Sequence, residues 1–265
     1  MQIYQAIVLG LIQGITELLP ISSSAHLAII PWILGWVNNL GFEEAFEAFD
    51  VALHGGTLLA IGIFFFKDWV NLLKATYNQV VHKEKTREST MFWYLVMATI
   101  PGAIIGFILD KTLEIDSPII IAIALIIMGV ILYFVDKFSK SNIDYQNLKF
   151  KQTFLIGVSQ ALAFIPGVSR SGITMTTARG LGVEREAAAK YSFMLSAPIV
   201  LGATLYKFKD FVFNLSFFVG VFVSFISGIL VIKFLLQYLK KGSFKGFAIY
   251  RIIFGITIIA INVIK

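Results

Sequence analysis

The stretch Gln5–His26 reads QAIVLGLIQGITELLPISSSAH, and Gln152–Gly172 repeats its plan as QTFLIGVSQALAFIPGVSRSG. In both copies an apolar segment containing glycine and glutamine ends at a proline and continues into serines. Membrane proteins build polar sites at depth from broken hydrophobic segments that recur in two halves of a chain. The pattern therefore predicts two re-entrant helical hairpins that contribute to one polar site.

The composition indicates an integral membrane protein. Of the 265 residues, 57% are hydrophobic and only 14% are charged, which is too apolar for a soluble domain of this size. We predict an all-α polytopic membrane protein with six transmembrane helices and the two re-entrant hairpins, because six further apolar segments are near the length that crosses a bilayer. These segments are Phe49–Phe66, Met91–Leu109, Ile119–Val135, Ala187–Tyr206, Phe217–Leu236 and Phe247–Ile264.

The basic residues predict how the chain is oriented. Loops 67–87, 137–151 and 240–245 are rich in lysine and arginine and should face the cytoplasm, whereas loops 110–116 and 207–210 should face outward. This alternation predicts inverted repeats, about 1–137 and 150–265, within a single integral membrane domain, 1–265. The first segment lacks the features of a cleaved signal peptide and should be retained. Because the net charge of +6 lies in these loops, no nucleic-acid partner is expected.

The first copy carries groups that can act as acid, base or nucleophile. Gln13 and Glu17 are four residues apart and share a helix face, and a carboxylate in an apolar segment usually faces the protein interior or a partner. Ser22–Ser24 precede a helix predicted over Ala25–Trp36, where they could cap the helix or present free amides to an anion. His26, in the first turn of that helix, is predicted to meet Glu17 across the bend.

The second copy carries groups that bind anions. Arg170 supplies a planar donor fork that matches phosphate oxygens, and Ser169, Ser171 and Thr174 supply hydroxyls. An arginine at membrane depth requires an anion, which could be a substrate phosphate or Glu17 of the first copy. Together the two copies predict chemistry on a phosphate.

Other polar residues give weaker signals. Asp50 and His54 could line the mouth of the site, but packing beside the adjacent glycines is the preferred interpretation. The acidic cluster Glu43, Glu44 and Glu47 is interpreted as a solvated helix start. The chain contains no cysteine, so that thiolate catalysis and thiolate metal sites are excluded and the chemistry must rest on oxygen and nitrogen.

The runs QGITELLPISSSAH (Gln13–His26) and PGVSRSGIT (Pro166–Thr174) resemble the paired motifs of the undecaprenyl-pyrophosphate phosphatases of the bacitracin-resistance family. The resemblance covers the whole chain. It implies that the protein removes the terminal phosphate from a polyprenyl diphosphate in the bacterial cell membrane. This reaction regenerates the carrier lipid of cell-wall polymers and confers bacitracin resistance. The charge bias predicts a site that opens to the outer side.

The resemblance also assigns roles to individual residues. The residues with implied catalytic roles are Glu17, Ser23, His26 and Arg170, and those with implied substrate-binding roles are Gln13, Ser22, Ser169, Ser171 and Thr174. Many relatives carry glutamate where this chain has Gln13, which puts a required carboxylate or strong metal ligand there in doubt. A divalent cation, Mg²⁺ or Ca²⁺, is implied, with Glu17 as its candidate ligand, and no organic cofactor is expected.

Several alternatives stay open at this point. The nucleophile could be Ser23, water or His26, and the proton acceptor could be His26 or Glu17. We expect a polyprenyl diphosphate as substrate and membrane lipids around the chain, and we leave a homodimer open. A lipid transporter or flippase is the alternative function, because inverted repeats with broken helices are shared by secondary transporters.

Overall fold

A computed structural model of the chain describes residues 1–38, 42–109 and 117–264. Within these ranges the regular structure is helical, apart from one isolated bridge between Ile143 and Val183. The α-helices of the described ranges are α1 (Ile3–Thr16), α2 (Ser23–Ile33), α3 (Phe42–Phe64), α4 (Phe66–His82), α5 (Arg87–Leu109), α6 (Pro118–Phe138), α7 (Phe150–Ser159), α8 (Arg170–Gly180), α9 (Arg185–Lys207), α10 (Leu215–Leu239) and α11 (Lys245–Ile264).

Six segments of the described chain are long and apolar enough to cross a membrane, which confirms the predicted number of spans. They are Phe46–Phe64, Arg87–Gly106, Pro118–Phe138, Arg185–Asp210, Leu215–Leu239 and Lys245–Ile264. On α10, Phe218, Phe222 and Leu230 are largely exposed, as expected of a surface that contacts lipid tails. The protein is therefore a multi-pass helical membrane protein.

Two pairs of short helices lie where the hairpins were predicted. Residues 17–22 separate α1 from α2, and residues 160–169, beginning with a 3₁₀ turn, separate α7 from α8. A proline pushes its preceding residue out of the helical region, and both turns contain one, Pro20 and Pro166. In the second turn Gly167 also has a φ of +96°, which favours glycine. The helix is therefore interrupted at both turns. The re-entrant position of the pairs and the inverted orientation of the repeats stay predictions.

The short helices α1 and α7 pack through small residues against long helices from the other half of the chain. α1 lies on α10, where a side chain at Gly10 would meet the carbonyl oxygen of Gly220, and α7 lies on α5, where a side chain at Gly157 would meet the backbone of Ala98. α6 packs against α11, and α3 against α9. This close approach of backbones is typical of membrane helices, and it brings both broken turns into the protein interior.

Two local predictions were wrong. Segment 67–87 was interpreted as a loop from its lysines, but most of it belongs to α4, which is amphipathic and buries Leu72. The helix predicted over Ala25–Trp36 is α2, which begins at Ser23, contains Pro31 and ends at Ile33. The predicted outward loop 110–116 lies outside the described residues, and so do the side chains of Glu43 and Glu44.

Candidate active site

The two broken turns meet through an ion pair. Glu17 follows the last residue of α1, and Arg170 is the first residue of α8. The Nη2 group of Arg170 donates to Oε1 of Glu17, and the Glu17 side chain is 5% exposed. The anion that Arg170 requires is therefore supplied by Glu17 of the other copy of the repeated motif.

The second oxygen of Glu17 gathers three further groups. Ser23 donates its hydroxyl to Oε2 at 2.5 Å, Gln13 donates its amide at 3.3 Å, and Nε2 of His54 lies 3.4 Å away. A carboxylate that accepts a hydrogen bond from a serine hydroxyl is placed to take the serine proton. Glu17 is thus the centre of the site.

The two turns share an unusual backbone geometry. Ser22 and Ser169 are the N-cap residues of α2 and α8, and both have positive φ values, 77° and 74°. Such values are uncommon for residues other than glycine, and strained conformations concentrate at functional sites. In each turn the N-cap serine accepts a hydrogen bond from the third residue of its helix. Its hydroxyl also lies 3.2 Å from the hydroxyl of the serine two residues further on.

This geometry gives Ser23 and Arg170 equivalent positions. Each is the first residue of its helix and follows a capping serine, so its side chain projects from a helix start with free backbone amides. The starts of α2 and α8 line the same cavity. Because helix N-termini attract anions, two helix dipoles favour a negatively charged group at this place.

The cavity between the two turns has a volume of about 260 Å³. Its polar wall contains Glu17, Ser23, His54, Ser169 and Arg170, and its apolar wall includes Phe164, Ile199 and Val200. Three of the residues assigned catalytic roles and one of those assigned substrate-binding roles therefore share one cavity.

The remaining residues with predicted substrate-binding roles lie behind the cavity wall. Gln13 and Ser22 are fully buried. Ser171 donates its hydroxyl to the carbonyl oxygen of Leu19 at 2.9 Å, and Thr174 lies 2.7 Å from the hydroxyl of Ser192. These contacts support the turns, and none of the four side chains lines the cavity.

His26 does not meet Glu17 as predicted. Its Nδ1 lies 2.6 Å from the carbonyl oxygen of Ser22, its Nε2 lies 2.7 Å from the hydroxyl of Tyr250, and its ring stacks on Phe254. It is 3% exposed and does not line the cavity. The broken segment before α2 directs the first turn of this helix toward α11. His26 and Glu17 are therefore close in the sequence but not in contact.

The histidine beside Glu17 is instead His54 of α3, for which packing was the preferred interpretation. Its Nδ1 lies 2.9 Å from the carbonyl oxygen of Asp50 and therefore carries a proton, because a carbonyl can only accept. A second proton, on Nε2, would point at Glu17. The packing interpretation holds for Gly56, where a side chain would meet the carbonyl oxygen of Val221, and is wrong for His54.

Two residues of α11 escaped the sequence analysis. Tyr250 is the partner of His26, and Arg251 donates to the backbone of both turns. Arg251 is fully buried within an apolar span. An arginine inside a membrane segment is itself a signal of function, so this residue could have been found by the argument that identified Arg170.

The donor set near Glu17 fits a divalent cation that arrives with a phosphorylated ligand. Oε1 of Gln13 is buried without a hydrogen-bond partner among the described residues, and Asp50 places a second carboxylate at the cavity. Mg²⁺ commonly binds through one or two carboxylates plus substrate phosphates, and Ca²⁺ also accepts amide carbonyls. The described chain has no cluster of three or more acidic, histidine or cysteine ligands.

The fold and the site define a class: multi-pass helical membrane proteins with an internal anion site that combines arginine, carboxylate and hydroxyl groups. The chain belongs to the family described as bacitracin resistance protein BacA, whose family model matches residues 6–257.

Three similar curated proteins share the printed name undecaprenyl-diphosphatase. The protein from Pelotomaculum thermopropionicum is 46% identical over 98% of this chain and 97% of its own length. The protein from Desulforudis audaxviator is 45% identical over 99% of this chain and 98% of its own. The protein from Caldicellulosiruptor bescii is 44% identical over 100% of this chain and 99% of its own.

Proposed function

We propose that the protein is an undecaprenyl-diphosphate phosphatase. It hydrolyses the polyprenyl diphosphate to polyprenyl phosphate and inorganic phosphate, recycles the carrier lipid of the cell wall and confers bacitracin resistance. Family membership and full-length similarity to proteins of that name support this activity. The observation in the molecule that carries the proposal is the Arg170–Glu17–Ser23 constellation at two converging helix starts.

The site supports binding of a diphosphate by charge. Arg170 can exchange its bond to Glu17 for a bidentate contact with phosphate oxygens, and the amides at the starts of α2 and α8 add donors. Preorganised donors of this kind stabilise the charge that develops on the phosphoryl group during transfer. In this mechanism Arg170 holds the terminal phosphate and offsets its charge.

The geometry favours Ser23 as the nucleophile over His26, because Ser23 lines the cavity and already donates to Glu17. As its Oγ forms a bond to the terminal phosphorus, the bond from phosphorus to the bridging oxygen breaks, and polyprenyl phosphate leaves with that oxygen. Glu17 takes the hydroxyl proton. Water then hydrolyses the phosphoserine and releases inorganic phosphate. Direct attack by water, with Glu17 as the base, is the competing route.

A divalent cation, Mg²⁺ or Ca²⁺, is part of this proposal. Glu17 and Asp50 would hold it together with the substrate, and Gln13 would offer its unpartnered amide oxygen. When bound, the cation neutralises charge on the diphosphate.

A second cavity supports a lipid substrate. Its volume is about 580 Å³, and it borders the first cavity through Ser24 and Asp50, which line both. Its wall is mainly apolar and includes Leu27, Trp32 and Phe42. A polyprenyl chain attached to a diphosphate in the first cavity could leave along this surface toward the membrane.

The protein lies in a membrane, and we propose that this is the bacterial plasma membrane, with the site opening outward as the charged loops predict. The chain has no native cysteine, so single cysteines can be tested directly. A membrane-impermeant maleimide applied to intact cells should label Lys209→Cys and spare Lys83→Cys. Labelling of Lys83→Cys alone would reverse the proposed orientation. A homodimer stays a prediction that size measurement in detergent can test.

The activity is tested by phosphate release from undecaprenyl diphosphate in detergent, with Mg²⁺, with Ca²⁺ and with a chelator. We expect turnover by the wild type with either cation and loss in the chelator. Detergent offers no two sides between which a lipid could be moved, so a transporter would bind the lipid without releasing phosphate. Absence of turnover by folded wild-type protein would therefore overturn the phosphatase in favour of transport.

A further inference from the structure

Arg251 of α11 is a buried cation that binds only backbone carbonyls. It is 0% exposed, and its guanidinium donates to the carbonyl oxygens of Gly167 at 2.7 Å, Val168 at 3.0 Å, Pro20 at 3.1 Å and Leu125 at 3.4 Å. Among the described residues it has no carboxylate within ion-pair distance. A charge buried without an anion is costly, and this cost requires an explanation.

Three of the four acceptors of Arg251 belong to the two broken turns, and the fourth, Leu125, lies in α6. Pro20 lies in the turn that leads to Ser22 and Ser23, and Gly167 and Val168 directly precede Ser169 and Arg170. A break in a helix within a membrane leaves backbone carbonyls without partners, and these must be satisfied inside the protein. The five donors of one guanidinium can serve several such carbonyls at once.

Two further contacts place α11 against the same elements. A side chain at Gly172 in the first turn of α8 would lie 2.7 Å from Nη1 of Arg251, so this turn rests directly on the guanidinium. On the neighbouring residue, the hydroxyl of Tyr250 lies 2.7 Å from Nε2 of His26 in the first turn of α2. α11 therefore contacts the starts of both helices that line the cavity.

We propose that Arg251 is a positioning residue that holds the two halves of the site in register. It fixes the distance between the turn that carries Glu17 and Ser23 and the turn that carries Arg170, without touching substrate. The inference rests on the proposed phosphatase function, because a misplaced turn would be detected as a lower rate of phosphoryl transfer.

The test compares the steady-state kinetics of wild type, Arg251→Lys and Arg179→Lys in detergent, with thermal unfolding of each variant. Arg179 is the matched control, because it is also buried but binds Asp136 near the opposite end of α8. We expect Arg251→Lys to lower kcat at least tenfold with KM within about threefold, since a misplaced group costs rate more than affinity. Arg179→Lys should lower thermal stability and leave the kcat of the folded protein within threefold of wild type.

A double-mutant cycle distinguishes positioning from a general structural role. If Arg251 acts by placing Arg170, Arg251→Lys should lower kcat by less than threefold in an Arg170→Lys background, because the placement no longer matters there. Arg179→Lys should have the same effect in both backgrounds. A tenfold loss that persists unchanged in the Arg170→Lys background would overturn the proposal.

A second variant covers the case in which Arg251→Lys does not fold. Gly172→Ala keeps the buried charge but adds a methyl group 2.7 Å from the guanidinium and 3.0 Å from Cβ of Ser169, whereas Gly180→Ala in the same helix meets only Val135 at an ordinary 3.6 Å. We expect at least a fivefold loss of kcat for the first and none for the second. Equal kcat in both variants, with active wild type, would overturn the role of Arg251 and leave the phosphatase assignment intact. Inactive wild type would instead overturn the assignment.

Discussion

Glu17 and Arg170 are 153 residues apart in the chain, and they form a largely buried ion pair across two turns built on the same plan. Each partner is the anion or cation that the other needs inside an apolar protein. The pair therefore offsets the charges of both side chains, and a diphosphate must compete with Glu17 for the guanidinium.

Arg170→Lys keeps the positive charge but loses the planar donor fork. We expect kcat/KM for phosphate release to fall by about 100-fold, in the range found when a transition-state donor is removed. The control is Glu186→Gln, which breaks an exposed ion pair with Lys240 and should leave activity unchanged. Activity of folded Arg170→Lys within threefold of wild type would contradict the role of the guanidinium.

Ser23→Ala tests the nucleophile. Because Ser23 donates to Glu17 and lines the cavity, we expect phosphate release to fall by at least about 100-fold. Ser24→Ala is the matched control, since Ser24 also lines the cavity but its hydroxyl lies 3.2 Å from Ser22. Mass spectrometry of acid-quenched wild type should find phosphate on Ser23. A Ser23→Ala variant with more than a tenth of wild-type activity would favour attack by water.

His54→Phe removes both ring nitrogens while keeping an aromatic side chain. We expect kcat to fall by about 10- to 100-fold, since the imidazole nitrogen that lies 3.4 Å from Glu17 is lost. His54→Gln retains a donor and should recover part of the rate. His82→Gln, at the exposed end of α4, serves as the control. Equal rates for His54→Phe and wild type would restore the packing interpretation of this residue.

Gln13→Glu adds a carboxylate where the structure leaves a buried amide oxygen without a partner. A charged oxygen beside Glu17 should bind a divalent cation more tightly. We expect the Mg²⁺ concentration that gives half-maximal phosphate release to fall at least threefold. Gln5→Glu, near the start of the same helix, is the control, because its Oε1 accepts a hydrogen bond from the backbone of Gln2 at 2.9 Å and the side chain does not line the cavity. No difference between the Mg²⁺ titrations of Gln13→Glu and wild type would remove Gln13 from the proposed cation site.

Asp136→Asn should separate stability from catalysis. Asp136 accepts hydrogen bonds from Arg179 at 2.9 Å, Arg185 at 2.8 Å and the backbone of Phe244 at 3.0 Å. Breaking a buried ion pair costs about 3–5 kcal/mol, so thermal unfolding in detergent should move to clearly lower temperature. Asp68→Asn, in a partly exposed pair with Lys190, should cost about 0–1 kcal/mol. A large loss of kcat in the folded Asp136→Asn protein would contradict a purely structural role.

The repeated motifs predicted much of the site because their information is local. A proline break, a capping serine and an intramembrane charge each have a physical meaning within a few residues, and they led to Glu17 and Arg170. The choice of Ser23 among the three serines came from the family resemblance. The six spans followed from the length of apolar runs alone. These features need no knowledge of which helix packs on which.

The remainder depended on tertiary contacts. His26 is nine residues from Glu17 but faces Tyr250, whereas His54 is on another helix and reaches Glu17. Sequence distance was a poor guide because the turn at Ser22 changes the direction of the chain. The motifs do not point to Arg251, because it lies in a span far from both of them. They also do not indicate α4, because its lysines are typical of a loop between spans.

The positive φ values shared by the capping residues Ser22 and Ser169 indicate how the site could arise by duplication. Since Ser23 and Arg170 stand at the same place in two copies of one backbone, an ancestral pair of identical turns would have formed a symmetric anion receptor. Divergence at that place gave one copy a hydroxyl and the other a guanidinium, and only the first copy carries the carboxylate of Glu17. Asymmetry between duplicated halves, rather than a new architecture, would then separate the binding of a phosphate group from the proposed attack on it.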